Sequence, residues 1–161
     1  MWQVTYVQKV LTSEEMSEVD RLTTERYGIP SILLMENAAH AVACVITEKL
    51  GGSVRGKSIL ILCGKGNNGG DGAALGRILE LSGANVEILL FGKLEDSRGD
   101  ARTNFIASRE IVSDFREIDS SEAWRAWFDS SNKTWDATVD AIFGTGLNRP
   151  VSGWLGPVMR E

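Results

Sequence analysis

Cysteine occurs twice and histidine once in the 161 residues. Cys63 ends the apolar run Ile59-Leu60-Ile61-Leu62 and Cys44 lies in a helix-like stretch, so both read as small buried hydrophobes. That excludes a disulfide framework and a cysteine metal pair. His40 sits in an Ala-rich helical segment, reads as a packed side chain, and is given no role. Basic residues are in deficit: 17 Lys and Arg face 22 Asp and Glu, a net charge of −5. Nucleic acid and anionic membranes both select for a basic face, so neither is expected as the main partner. A phosphate-bearing small molecule stays open, because a few backbone amides hold phosphate whatever the net charge. Long apolar runs are also missing. Met1–Lys9 is mixed in character, no signal peptide or membrane span is visible, and a cytoplasmic location is the default expectation. No repeat, linker or low-complexity segment interrupts the chain.

What is present is an ordinary globular mixture, 43% hydrophobic and 24% charged, in a length suited to one domain with a real core. Ser13 with Glu14 and Glu15 reads as a helix start, and the helix should run to about Arg26. Tyr27-Gly28-Ile29-Pro30 breaks it. A second helix is expected from Ser31 to Leu50, apolar nearly all round and therefore well buried. Ser58–Cys63 reads as a strand buried on both faces. The Gly-rich turn Gly64–Gly72 follows, then a helix over Ala73–Leu81 and a strand over Val86–Phe91. A helix over Ser97–Ile111, a short strand over Asp114–Ile118, a helix from Ser120 or Ser121 to Phe128 and a strand over Ala137–Phe143 complete the alternation. Such alternation makes an α/β protein with a parallel sheet wrapped by helices. Trp124, Trp127 and Trp135, like the other two tryptophans, read as core or helix-face residues.

Gly64, Gly66 and Gly69 stand at G-x-G-x-x-G spacing between an expected strand and an expected helix, the context a nucleotide loop requires. Glycines let backbone approach a ligand, and the following helix offers unpaired N–H groups to a phosphate. A tight packing turn is the bland alternative. It does not need Asn67, Asn68 and Asp71, which supply polar donors and acceptors. A dehydrogenase of the usual kind needs an acid at the end of the second strand for the ribose hydroxyls. Here that strand ends Phe91-Gly92-Lys93, so a dehydrogenase is disfavoured; Lys93 reads first as a solvated surface lysine, with a phosphate contact as the alternative. Asp140 lies in an apolar strand, where an unpaired carboxylate is expensive, so a cation, donor or metal should accompany it; a turn acid is the alternative. Gly144-Thr145-Gly146 then forms a second Gly-rich loop at the carboxyl edge, where open α/β sheets bind ligands. Glu36 and Asn37 in the second helix need partners and are candidates to face that cleft.

The chain resembles the YjeF N-terminal domain family, the NAD(P)H-hydrate epimerases. The resemblance is carried by Leu11-Thr12 with Glu15-Met16 and Asp20, by Tyr27 to Ser31 with Leu34-Met35-Glu36-Asn37-Ala38, by Gly64 with Gly66 to Gly72, and by Asp140 to Leu147. These pieces stand in order over nearly the whole chain. The resemblance implies a Rossmann-like three-layer αβα sandwich with a mostly parallel sheet. It implies that Asn67, Asn68, Gly69, Gly70, Asp71, Gly144, Thr145, Gly146, Leu147, Asn148, Arg149 and Pro150 line a site for hydrated NADH or NADPH (NADHX, NADPHX). It also implies a potassium ion (K+) held partly by Asn68 and Asp140; oxygen ligands of this kind suit an alkali cation and not zinc. The family interconverts the R and S forms at the hydrated C6 of the nicotinamide ring, with acid–base assistance.

Family members continue with a strand of the Val-Asp-Ile-Pro-Ser-Gly type, whose Asp contacts substrate and whose Ser helps hold the ion. The expectation is therefore one domain over 1–161 lacking its last strands, with no assigned catalytic residue and Asp71 as the fallback candidate. The exposed sheet edge should then invite pairing or dimerisation. An ADP- or ATP-dependent dehydratase, fused or separate, is the expected companion. Two other readings stand beside the epimerase: a non-catalytic nucleotide- or protein-binding module of the same fold, and, more weakly, the dehydrogenase.

Overall fold

The computed structural model describes residues 10–147 and 150–159. Two compact units make up the chain, Met1–Leu34 and Met35–Glu161. The first contains α1 (Ser13–Tyr27), whose N-cap is Thr12 and not the expected Ser13. Thr12 Oγ1 accepts from the Glu15 N–H at 3.2 Å and the Glu15 carboxylate accepts from the Thr12 N–H at 2.9 Å. This reciprocal pair satisfies two donors that the helix start would otherwise leave open. Gly28 closes the helix at φ 66. α2 (Ser31–Lys49) follows, and its residues from Met35 onward belong to the second unit.

The second unit is built on a parallel sheet of β1 (Ser58–Cys63), β2 (Asn85–Phe91), β3 (Asp114–Ile118) and β4 (Ala137–Ala141) in the order β3-β2-β1-β4. α3 (Asn67–Leu81), α4 (Gly99–Ile111) and α5 (Ser121–Ser130) make the crossovers, and the short α6 (Leu155–Val158) comes last among the described residues. Alternate residues of each strand serve different layers. Ile59, Ile61 and Cys63 with Val86, Ile88 and Leu90 pack under Ala39 and Ala43 of α2, Ala73, Leu75 and Leu79 of α3, and Phe105 of α4. Leu60, Leu89, Phe91 and Ile118 pack on the opposite face under Trp127 of α5 and Val158 of α6. Helices on both faces of a parallel sheet are the three-layer αβα arrangement expected from the alternation.

Several boundaries and burials differ from expectation. β4 stops at Ala141, two residues short of the expected Phe143. α2 is not buried all round: Met35, Ala39 and Ala43 form one buried stripe at four-residue spacing, while Val42 and Val45 are exposed. Cys44 and His40 share that outer part of the helix and are exposed, contrary to their reading as packed side chains. Cys63 is fully buried, and desolvation pushes its thiol well above the ordinary range. Trp124, Trp135 and Trp154 are partly buried around the second face, as expected, whereas Trp2 lies outside the described residues.

Candidate functional site

The Gly-rich segment is not a free turn before the third helix. α3 begins at Asn67 with Gly66 as its N-cap, so Asn67, Asn68, Gly69, Gly70 and Asp71 are its opening turns and not a loop ahead of Ala73. Sequence reasoning placed the start six residues late because five glycines outweigh helix propensity. The glycines are there for fit. A Cβ on Gly69 would lie 1.7 Å from the Gly64 carbonyl oxygen. One on Gly72 would lie 2.7 Å from Ala141 Cβ and 2.9 Å from Cys63 Sγ, and one on Gly76 2.6 Å from Ile88 Cδ1. The helix thus lies close on β1, β2 and β4, and its N-terminus is aimed at the carboxyl edge of the sheet. The first-turn N–H groups of a helix have no intrahelical acceptor and carry partial positive charge.

β4 brings the second loop to the same place. Asp140 is paired in register with Leu62 and Ala141 with Cys63. The Gly64 N–H continues the ladder by donating to the Ala141 carbonyl at 3.0 Å. Beyond β4, the Leu147 N–H donates to the Gly144 carbonyl at 3.2 Å and closes a turn. Gly144 meets Asn68: a Cβ there would lie 3.1 Å from Asn68 Cβ and 3.3 Å from Asn68 Cγ. The Gly-rich start of α3 and the Gly-rich loop after β4 therefore meet at the Asn68 side chain.

Behind this contact is a cavity of about 320 Å³ lined by Asn68, Asp71, Asp140, Val42, Leu75 and Val139 among others. Its wall is mostly apolar with three polar side chains, the usual make-up of a small-molecule site. Asp140 is not the buried carboxylate expected from its strand. It is exposed, because among the described residues β4 is an edge strand open to water on its outer side. Its Oδ1 accepts from the Ile142 N–H at 3.0 Å, the turn role weighed as an alternative, and among the described residues this is its only hydrogen bond.

Not every expected site residue reaches the cavity. Asn67 is exposed at the helix start, while Gly69 and Gly70 are buried against protein, Gly70 facing Ala101 and Met35. Gly144, Thr145, Gly146, Leu147 and Pro150 are exposed, and Gly144 packs against the cavity residue Asn68. Asn148 and Arg149 lie outside the described residues. Glu36 does not serve the cleft: it pairs with Arg77 of α3, which also reaches Asn104 Oδ1 of α4 at 3.5 Å. Asn37 is exposed. Val42, Leu75 and Val139 were missed as lining residues, since nothing distinguishes an apolar cavity wall from core in the sequence.

The family described as YjeF-related protein N-terminus matches residues 31–161. A bifunctional NAD(P)H-hydrate repair enzyme Nnr of Moorella thermoacetica is 43% identical over 145 residues, covering 89% of this chain and 27% of its own length. An NAD(P)H-hydrate epimerase of Limosilactobacillus reuteri is 36% identical over 145 residues, covering 90% of this chain and 63% of its own length. The crystal structure of yeast ynu0 matches with a TM-score of 0.75 at 25% identity, covering 95% of this chain and 64% of that one. This chain thus spans less than two thirds of each of these relatives. The fold, the two Gly-rich segments meeting at Asn68 and the match over residues 31–161 agree, and the chain belongs to the YjeF-related protein N-terminus family.

Proposed function

We propose that this chain carries the cofactor-binding loops of an NAD(P)H-hydrate epimerase, an isomerase that interconverts the R and S forms of NADHX and NADPHX in nicotinamide-cofactor repair. The observation that carries the reading is the meeting of both Gly-rich segments at Asn68, beside a cavity that also holds Asp71 and Asp140. Hydrated C6 bears a hydroxyl and is bonded to the ring nitrogen. Inversion there needs the C–O bond to break, with a proton delivered to the departing hydroxyl, and water to add from the other face with loss of a proton. A carboxylic acid beside C6 can do both. Asp71 lines this cavity from the opening turns of α3 and is the fallback candidate for proton transfer in this chain.

The donor set also fits an alkali cation. Asn68 and Asp140 bring an amide and a carboxylate to one cavity wall, and hard cations take oxygen ligands. A potassium ion there would supply positive charge against the cofactor diphosphate. As the companion we propose a dehydratase, fused or separate, which fits the bifunctional name of the Moorella relative. No described helix is long and apolar enough to cross a membrane; a cytoplasmic location belongs to the same proposal.

The test is R/S equilibration of NADHX by this chain, followed by chiral chromatography in potassium and in sodium. Potassium-dependent acceleration is expected. Asp140→Ala should remove the potassium dependence, and Asp71→Asn should lower the rate by about 100-fold or more with binding of ADP-ribose retained. Unchanged rates in Asp71→Asn would remove that residue from the chemistry. Binding without turnover in the parent chain would favour the non-catalytic binding module.

A further inference from the structure

The carboxyl edge of the sheet extends past the cavity to the end of β2, and two lysines stand there. Gly92, with φ 135, directly follows that strand. A Cβ on Gly92 would lie 2.8 Å from Lys65 Cγ and 2.6 Å from Lys65 Cδ, so the Lys65 stem crosses directly over this residue. Its ammonium pairs with Asp96 Oδ2 at 3.3 Å. Lys93, the next residue, pairs with Asp119 Oδ2 at 3.7 Å. Both lysines belong to the loops of the site's own edge, Lys65 one residue before the N-cap of α3.

Topology says which part of a dinucleotide belongs there. The chain runs β1 to β2 to β3 outward on one side and then crosses to β4 on the other, so the strand order reverses between β1 and β4. A dinucleotide straddles such a reversal, and its adenosine ribose rests at the end of β2. The cavity with Asn68 and Asp140 lies on the β4 side, which leaves the β2 end for the remote, adenosine half. An acid at the end of β2 selects an unmodified ribose diol, whereas a cation accepts a 2′-phosphate. Here that position reads Phe91-Gly92-Lys93, with the Lys65 stem laid over Gly92.

We propose that Lys65 and Lys93 are specificity-determining residues that read the 2′-phosphate, making the phosphorylated cofactor NADPHX the preferred substrate over NADHX. The inference rests on the epimerase reading above and deepens it. Asp96 and Asp119 hold the lysines in the free protein and yield to the ligand. Both pairs are about half exposed, and such pairs are worth only ~0–1 kcal/mol. A phosphate dianion with three acceptor oxygens is the stronger partner for two ammonium groups. The chain as a whole is acidic, so this pair provides local selection against an unfavourable overall field.

The test uses the full chain and two stable probes, ADP-ribose and 2′-phospho-ADP-ribose, measured by titration calorimetry at low salt. The phosphorylated probe should bind about tenfold tighter or better. In Lys65→Gln/Lys93→Gln that ratio should fall to about twofold, with a thermal melt confirming the fold. Gly92→Ala, which displaces the Lys65 stem, should give an intermediate ratio. Equal affinity for the two probes, or a ratio that survives the double substitution, overturns the inference while leaving the cofactor site intact. Tighter binding of ADP-ribose, lost in Asp96→Ala, would show that a carboxylate reads the ribose and also overturns it. Failure of both probes to bind would overturn the cofactor-site reading together with this inference.

Discussion

At the residue scale the glycines of the G-x-G-x-x-G spacing are not equivalent. Gly64 and Gly69 touch backbone: a Cβ on Gly64 would lie 2.0 Å from the Ile142 carbonyl oxygen, and one on Gly69 1.7 Å from the Gly64 carbonyl oxygen. Gly66 has nothing within 4 Å of its Cβ position and a φ of −90, which any residue adopts. Gly69→Ala should therefore cost about 3 kcal/mol or more through overpacking, a fall of roughly 6–12 °C in Tm. Gly66→Ala should cost no more than about 1 kcal/mol, since Ala is a poorer N-cap than Gly but the freedom lost by the unfolded chain offsets part of that. Calorimetric melts of the two variants decide the matter, and equal losses would refute the assignment. The spacing was legible in the sequence, but which glycine packs was not. That depends on Ile142 and on the Gly64 carbonyl, which the fold brings in from 78 and five residues away.

At the scale of elements the strands and crossovers were legible, because continuous apolar runs broken by Gly and Ser mark a parallel sheet buried on both faces. The polar clamp that ties α5 to β2 was not, because its centre, Glu87, reads as a surface residue. Glu87 is 2% exposed. Its carboxylate accepts from Trp127 Nε1 at 2.5 Å and from Lys133 Nζ at 2.8 Å, with Arg116 Nε at 3.3 Å. Removing one donor leaves a buried charge short of a partner, so Trp127→Phe should cost about 1.5–3 kcal/mol in a denaturant melt. A loss no larger than that of a surface tryptophan would show the hydrogen bond to be idle. Asp114, on β3, shares the same cations. Burial raises its carboxyl, but hydrogen bonds from Arg116 and Lys133 and their charges outweigh burial and hold it below the ordinary carboxylate range. A carboxyl depressed in the fold adds stability above its unfolded value of about 3.9 and loses it as pH falls through the lower folded value. Tm should therefore drop with acid below about pH 4, and Asp114→Asn should flatten that part of the profile. An unchanged acid limb in the variant would assign the loss to other carboxylates.

At the scale of the whole molecule, one flank of the second unit combines two features that each favour association. Among the described residues β4 pairs only with β1, so its outer edge presents unpaired N–H and C=O groups. Beside it the cavity wall is largely apolar, and Val42 and Val45 of α2 are 43% and 50% exposed. Open strand edges template pairing with another chain, and exposed apolar surface adds the driving force. The chain also spans only 27% and 63% of the Moorella and Limosilactobacillus relatives, so in those proteins further sequence is available to such a flank. Thr138, the exposed second residue of β4, is the place to intervene, because a charged side chain on an edge strand opposes strand pairing. The chain on its own should shift from the 17.6 kDa monomer toward dimer between about 10 and 200 μM in sedimentation or light scattering, and Thr138→Lys should hold it at monomer mass. A parent chain that stays monomeric throughout that range would show that the open edge is already protected by its own twist and side chains. Association that persists in Thr138→Lys and vanishes in Val45→Lys would instead assign the contact to the outer face of α2.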